Sequence, residues 1–213
     1  MTRMTPSEAF VETMVANGVT TTFGIMGSAF MDAMDIFTPA GIRLIPVVHE
    51  QGAAHMADGY ARVSGRHGVV IGQNGPGISN CVTAIAAAFW AHSPVVIVTP
   101  ETGTMGIGLG GFQEANQLPM FQEFTKYQGH IVNENRMAEI TARCFDRAMS
   151  EIGPTQLNIP RDRFCHALLP NRLLLDGFLD GLSSIEHPTT AIIENHSLEN
   201  PAIVYHRNIG CCI

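Results

Sequence analysis

An apolar stretch, IRLIPVV at 42–48, runs straight into His49-Glu50, and a pattern of small residues with helical spacing follows at once: HEQGAAHMADGYARVSG, 49–65. A carboxylate where a buried strand hands over to a helix has two uses. In open α/β sheets ligands gather beyond the carboxyl ends of strands, and a partly shielded Glu50 there can accept a strong hydrogen bond from a ligand nitrogen. It can equally be an acid in the first turn of a helix, favoured by the helix dipole. Position alone favours the second use. The neighbours Gly52, Ala53, Ala54 and Ala57 weigh toward the first, because a very small helix flank predicts close approach of another backbone, helix or ligand.

A second segment, GQNGPGISN at 72–80, reads as a strand end, a Gly-Pro-Gly turn and a helix start. Backbone N–H groups exposed there suit an anion or a polar heterocycle, and glycine permits close approach; an ordinary strand-to-helix turn fits as well. The segment GIGLGG at 106–111 matches the spacing of a dinucleotide-binding turn in form only. It lies well beyond the preceding strand, leads into FQEANQ rather than an apolar helix, and lacks an acid placed for a ribose. It reads as a loop, closed by the aromatic and amide of Phe112 and Gln113.

Other features carry little chemistry. None of the nine histidines has metal-binding spacing, and His92 reads as a helix-end residue. The five cysteines form no CxxC, so neither a zinc site nor a disulfide framework is expected. Met4, Met14, Met26, Met31 and Met34 read as core or interface filler. Glu134, Glu139, Arg143 and Asp146 read as a solvated helix face, Arg43 and Arg62 as surface cations or ion-pair partners, and Asn195-His196-Ser197 as an unused sequon.

The elements that must position Glu50 alternate. Thr5-Pro6-Ser7-Glu8 opens a helix with a capping box, and Asn17-Gly18 closes it. Strands are expected at 20–25, 42–48, 68–72, 95–98, 127–131 and 155–159. Helices are expected at 30–37, 51–63, 77–91, 116–123 and 136–150. The strands are continuous apolar runs. That predicts a three-layer α/β sandwich: a central parallel sheet of about six strands with helices on both faces. The alternation stops near Leu168, so 1–167 is read as one domain and 168–213 as a tail. The composition, 46% hydrophobic and 15% charged with a net charge of −7, argues against a nucleic-acid partner. The apolar stretch at 81–98 is broken by His92, Ser93 and Pro94, so no membrane span is expected; with no secretory signal at the start, a cytoplasmic location is.

Taken together, HEQGAAHMADGYARVSG, QNGPGISN and GGFQEANQ resemble, in order and spacing, three active-site segments of the pyrimidine-binding domain of thiamine-diphosphate enzymes. The group is that of acetohydroxyacid synthase and oxalyl-CoA decarboxylase, and the resemblance extends over about residues 4–165, through NIPRD at 158–162. FGIMGSAFM at 23–31 and QNGPGISN resemble most the branch that converts sulfoacetaldehyde and phosphate into acetyl phosphate and sulfite. The resemblance implies that Glu50 is the glutamate that hydrogen-bonds N1′ of the cofactor's aminopyrimidine and so helps the thiazolium C2 lose its proton. It implies that Asn74, Gly75 and Pro76 form the loop beside the pyrimidine, that Phe112 and Gln113 face substrate, and that Gly27 and Ser28 border the same site.

Such enzymes place a middle domain and a diphosphate-binding domain after this one. The last holds magnesium through a Gly-Asp-Gly motif, since a diphosphate needs a hard cation with oxygen ligands. Asp176-Gly177 and Asp180-Gly181 are preceded by leucine and do not reproduce it. No residue here is assigned to the metal, and the Mg2+ is expected on a domain absent from this chain. The family's site lies between domains of different subunits, so the expected partner is a diphosphate-binding domain of another chain in a homo- or hetero-oligomer. The chain is accordingly expected to be inactive in isolation, as a truncated form of such an enzyme. A subunit of a two-chain decarboxylase or synthase, and an inactive α/β interaction module, are the alternatives.

Overall fold

The structure, a computed structural model, describes residues 4–164. The tail, the two Asp-Gly pairs and the sequon lie outside the described residues. Strands β1 (Thr21–Gly24), β2 (Arg43–Pro46), β3 (Gly68–Ile71), β4 (Val95–Glu101), β5 (Tyr127–His130) and β6 (Thr155–Pro160) form one sheet. Its order is β2-β1-β3-β4-β6-β5, with every neighbouring pair parallel. Helices α1 (Pro6–Ala16), α2 (Met31–Phe37), α3 (Glu50–Ser64), α4 (Pro76–Ser79), α5 (Val82–Trp90), α6 (Leu118–Phe121) and α7 (Met137–Ser150) cover it. The predicted three-layer α/β architecture is the observed one.

The continuous apolar strands are explained by burial on both faces. From β3, Val69 and Ile71 join Phe10, Met14, Phe37 and Phe145 in one core layer, under α1, α2 and α7. Val70 points the other way, into Ala53, Ala57 and Ile85 of α3 and α5. Each such valine or isoleucine contributes roughly 1.5–3 kcal/mol by leaving water. The opening cap forms as its sequence predicts: the Glu8 N–H donates to Thr5 Oγ1 at 3.2 Å, and the Thr5 N–H donates to Glu8 Oε2 at 2.6 Å. Gly65, at φ 67°, ends α3 in the left-handed conformation that glycine adopts without strain.

Three local differences from the sequence reading matter for the site. The helix expected over 77–91 is two helices, α4 and α5, broken at Asn80-Cys81, where the Cys81 N–H closes a tight turn onto the Ile78 carbonyl at 3.0 Å. Strand β4 runs to Glu101, three residues beyond its expected end, because β6 continues beside it to Pro160. On α3 the small flank that meets the sheet is Ala53, Ala54, Ala57 and Ala61, all buried. Its close approach is to Gly68 of β3, where a Cβ would lie 2.0 Å from the Ala57 carbonyl oxygen. Gly52 is not part of that contact: like Gly59, it faces outward with nothing within 4 Å.

Candidate functional site

Strand order places the site. From β1 the chain steps outward to β2, then returns past β1 to β3, so the connections after β1 and β3 leave the sheet in opposite directions. The crevice between them lies beyond the strands' carboxyl ends, the usual ligand position in such sheets. Gly27 and Ser28 follow β1, Glu50 follows β2, Asn74 to Pro76 follow β3, and Phe112 and Gln113 belong to the loop after β4. All eight residues singled out in the sequence are therefore on connections at one edge of the sheet.

Glu50 is the first residue of α3, behind His49, whose Nδ1 accepts the Gln51 N–H at 3.2 Å. It is thus a first-turn acid, but its side chain has further constraints. Oε2 accepts from Asn80 Nδ2 at 2.9 Å, across the break between α4 and α5. Glycines 72 and 77 make room for it: a Cβ on Gly77 would sit 3.0 Å from Glu50 Oε1, and one on Gly72 would sit 3.4 Å from its Cγ. No hydrogen bond from the described residues reaches Oε1. A half-buried carboxylate with one oxygen anchored and the other free is a directed acceptor for a ligand N–H. Beneath it, the Cys81 thiol is pushed up to about 12 by burial and by the Glu50 charge, so it stays neutral.

The turn after β3 braces the loop after β4. Buried Asn74 donates through Nδ2 to the carbonyls of Phe112 at 3.2 Å and Gln113 at 3.1 Å. Gly75, at φ 69°, approaches Gln113 so closely that a Cβ would lie 2.4 Å from its carbonyl oxygen. The Gly75 N–H donates to Oε1 of buried Gln117 at 3.2 Å. Gln117 Nε2 in turn donates to the Pro100 carbonyl at 2.7 Å and to Asn158 Oδ1 at 3.3 Å. Pro76 opens α4, and its carbonyl accepts from Ser79 Oγ at 2.9 Å. Gln113 has φ 56°, a left-handed backbone uncommon outside glycine and a recurrent mark of functional loops. Phe112 is 78% exposed, one of a row of outward apolar side chains with Met105, Ile107 and Leu109.

At the other side of the crevice Gly27 faces Gln73, and a Cβ on Gly27 would lie 2.1 Å from Gln73 Oε1. Gln73 Oε1 accepts the Ala29 N–H at 3.3 Å; Gln73 Nε2 donates to Gln113 Oε1 at 3.0 Å and to Ser28 Oγ at 3.4 Å. Sequence reasoning passed over Gln73, Asn80 and Gln117 as individual residues, although all three stand inside the quoted motifs. The only signal was a polar side chain among small and apolar neighbours.

The remaining expectations resolve simply. The glycine-rich loop is held by carboxylates, with no nucleotide-type turn. Glu114 accepts from the Gly108 and Gly111 N–H groups, which hold its carboxyl below the ordinary range. Asp162 accepts from the Thr104 N–H at 2.8 Å. Arg62 forks onto Asp58 at 2.8 and 2.6 Å, and Arg43 opens β2 at the end of the sheet away from the site. Glu139 pairs with Arg136 and Arg143 on α7, whereas Glu134 reaches Arg163 at 2.7 Å. Among the described residues, no helix is long and apolar enough to cross a membrane.

A parallel sheet with its switch point between β1 and β3, a glutamate beyond the strand ends there and two glycine-bearing loops beside it make the kind of edge at which α/β domains hold ligands. Residues 4–120 match the family described as "Thiamine pyrophosphate enzyme, N-terminal TPP binding domain", and the chain belongs to that family. It is similar to sulfoacetaldehyde acetyltransferase of Alcaligenes xylosoxydans xylosoxydans, 89% identical over 162 residues, covering 76% of this chain and 27% of that protein. The namesake from Castellaniella defragrans is 81% identical over 175 residues, covering 80% of this chain and 29% of that protein. The acetolactate synthase large subunit of Corynebacterium glutamicum is 36% identical over 162 residues, 75% of this chain and 26% of that protein. The chain thus spans less than a third of the length of these relatives.

Proposed function

We propose that this chain supplies the pyrimidine-binding half of a thiamine-diphosphate site in an enzyme that converts sulfoacetaldehyde and phosphate into acetyl phosphate and sulfite. The observation that carries the reading is the Glu50 carboxylate, with Oε2 anchored by Asn80, Oε1 free beside Gly77, and Gly72 making room for its Cγ. That arrangement fits a protonated ring nitrogen of an aminopyrimidine. When bound, thiamine diphosphate supplies a nucleophilic thiazolium carbon. Glu50 then holds or takes a proton at the pyrimidine ring nitrogen. Asn74, Gly75 and Pro76 shape the wall beside that ring, Gly27 and Ser28 close its far side, and Phe112 and Gln113 exclude water and meet the substrate. The diphosphate and its Mg2+ belong to a domain that residues 4–164 do not include.

That domain needs a docking face, and α3 with α5 offers one. Met56, Val63 and Trp90 are exposed, Val63 at 91% and Trp90 at 75%, and outward-facing Gly52 and Gly59 allow another backbone to come close. We assign this face to the diphosphate-binding domain of another chain, in a cytoplasmic oligomer whose domain here spans 1–167.

The test is a chimera in which residues 4–164 replace the matching segment of the Castellaniella defragrans relative. It should release sulfite from sulfoacetaldehyde in the presence of phosphate, and Glu50→Gln should lower kcat by about 10²-fold or more, the usual scale for loss of a positioned acid–base group. A folded chimera without turnover, or one indifferent to Glu50→Gln, would overturn the reading.

A further inference from the structure

The hydrogen bonds around Gln73 have a direction. The Ala29 N–H can only donate, so the Gln73 atom that meets it at 3.3 Å must be the carbonyl oxygen. The room for that oxygen exists only because residue 27 is glycine, since a Cβ there would lie 2.1 Å from it. With its oxygen committed, Gln73 can offer only its amide N–H to Gln113, 3.0 Å away, and the Gln113 atom that receives it must be Oε1. The second amide, which could otherwise turn over at little cost, is thereby fixed. Its Nε2–H2 end has no acceptor among the described residues. The backbone beneath is equally constrained, with the Gln113 carbonyl held by Asn74 at 3.1 Å and Gly75 pressed against it. A left-handed, non-glycine residue pinned at both side chain and carbonyl is pre-organised rather than adaptable.

We propose that Gln73 is a positioning residue that sets the polarity of Gln113, so that Gln113 presents a paired N–H donor to an oxyanion group of the substrate, a sulfonate or a phosphate. The proposal rests on the function proposed above and extends it: neither arginine considered from sequence provides this contact, since Arg62 is bound to Asp58 and Arg43 lies at the opposite end of its strand. A neutral amide donor binds a tetrahedral oxyanion without placing a fixed cation beside Glu50.

The test inverts the polarity with little change of shape and adds one negative charge. In Gln73→Glu one carboxylate oxygen still accepts the Ala29 N–H, while the other can only accept from Gln113, turning that amide so that Oε1 faces the ligand. Side-chain amide resonances of Gln113 in the 15N-labelled full chain are followed during titration with methanesulfonate and, separately, inorganic phosphate. A saturable shift of the Gln113 Nε2 protons is expected with at least one anion, and which anion produces it names the group bound. Gln73→Glu should weaken that response by about tenfold or more, the scale of a hydrogen bond to a charged group. Gln73→Met, which removes the constraint without adding a charge, should weaken it less but still measurably; it separates lost orientation from charge repulsion and serves if the glutamate variant does not fold. A Gln113 response that is absent with both anions, or unchanged in a folded variant, overturns the proposal. Titration with thiamine diphosphate, read at Asn80 and Gly77, reports separately on the cofactor reading, so the two fail independently.

Discussion

Glu50 satisfies two descriptions that seemed to compete. It is an acid in the first turn of α3, where the helix dipole favours it, and it is a carboxylate anchored across the crevice by Asn80. The first description explains why the charge is tolerated there, and the second fixes the direction of its carboxylate. The expected effect of Glu50→Gln on the chimera belongs to this scale, because the amide keeps the shape and removes the charge. Gln73→Glu belongs to this scale too, since it reverses the direction of one hydrogen bond and adds one negative charge beside it. His67 is a residue-scale switch on stability. Its Nε2 meets the Phe145 carbonyl at 2.9 Å and its ring lies edge-on to the Phe145 ring. Burial pushes its pKa below the ordinary 6.5 despite that bond, so as pH falls the unfolded chain binds the proton first. The stabilisation is therefore present above 6.5 and is lost as pH drops from there toward the folded value. Urea midpoints should fall between pH 7.5 and pH 5.5, and His67→Gln should flatten that difference.

At the scale of elements, the site is built by how strands end. Strand β4 outlasts β3, whose last partner is Val98, so the Pro100 carbonyl finds no strand on that side. Gln117 supplies the missing donor at 2.7 Å, and the same side chain accepts the Gly75 N–H. One buried amide thus ties the end of β4 to the start of α4. Gln117→Leu should cost about 2–4 kcal/mol in urea unfolding, since it leaves more than one buried polar group without a partner. A loss below about 0.5 kcal/mol would show that water replaces the amide. The break between α4 and α5 sets the Asn80–Glu50 contact: an unbroken helix would carry Asn80 elsewhere around its axis.

For the whole molecule, the question is what covers the outward face of α3 and α5. One buried core layer accounts for the inner faces of both helices, through Ala53, Ala57, Ile85 and Ala88, and nothing among the described residues covers Val63 or Trp90. In the chimera, Trp90→Glu should weaken subunit association by about tenfold or more, as loss of a central aromatic anchor does, with sedimentation shifting toward the smaller species. Unchanged sedimentation would place the interface elsewhere. Turnover should fall in parallel if, as proposed, the cofactor site takes its two halves from different chains.

The alternation of apolar runs and helical spacing was enough to foresee a parallel sheet covered on both faces, since a strand buried on both sides must be apolar at every position, as Val69, Val70 and Ile71 are. The capping box at Thr5 to Glu8 and the glycine end of α3 were legible for the same reason: each is a contact within a few residues. The three motifs likewise fall on connections that the fold gathers beyond the carboxyl ends of its strands. What the sequence left open were contacts between segments distant along the chain. Asn80 meets Glu50 across 30 residues, Gln73 meets Gln113 across 40, and Gln117 meets Gly75 across 42. No local pattern encodes those pairings, because they depend on the order of strands in the sheet and on where each strand stops. Only the tertiary structure decides which end of each amide is free, and that determines which ligand groups the crevice can hold.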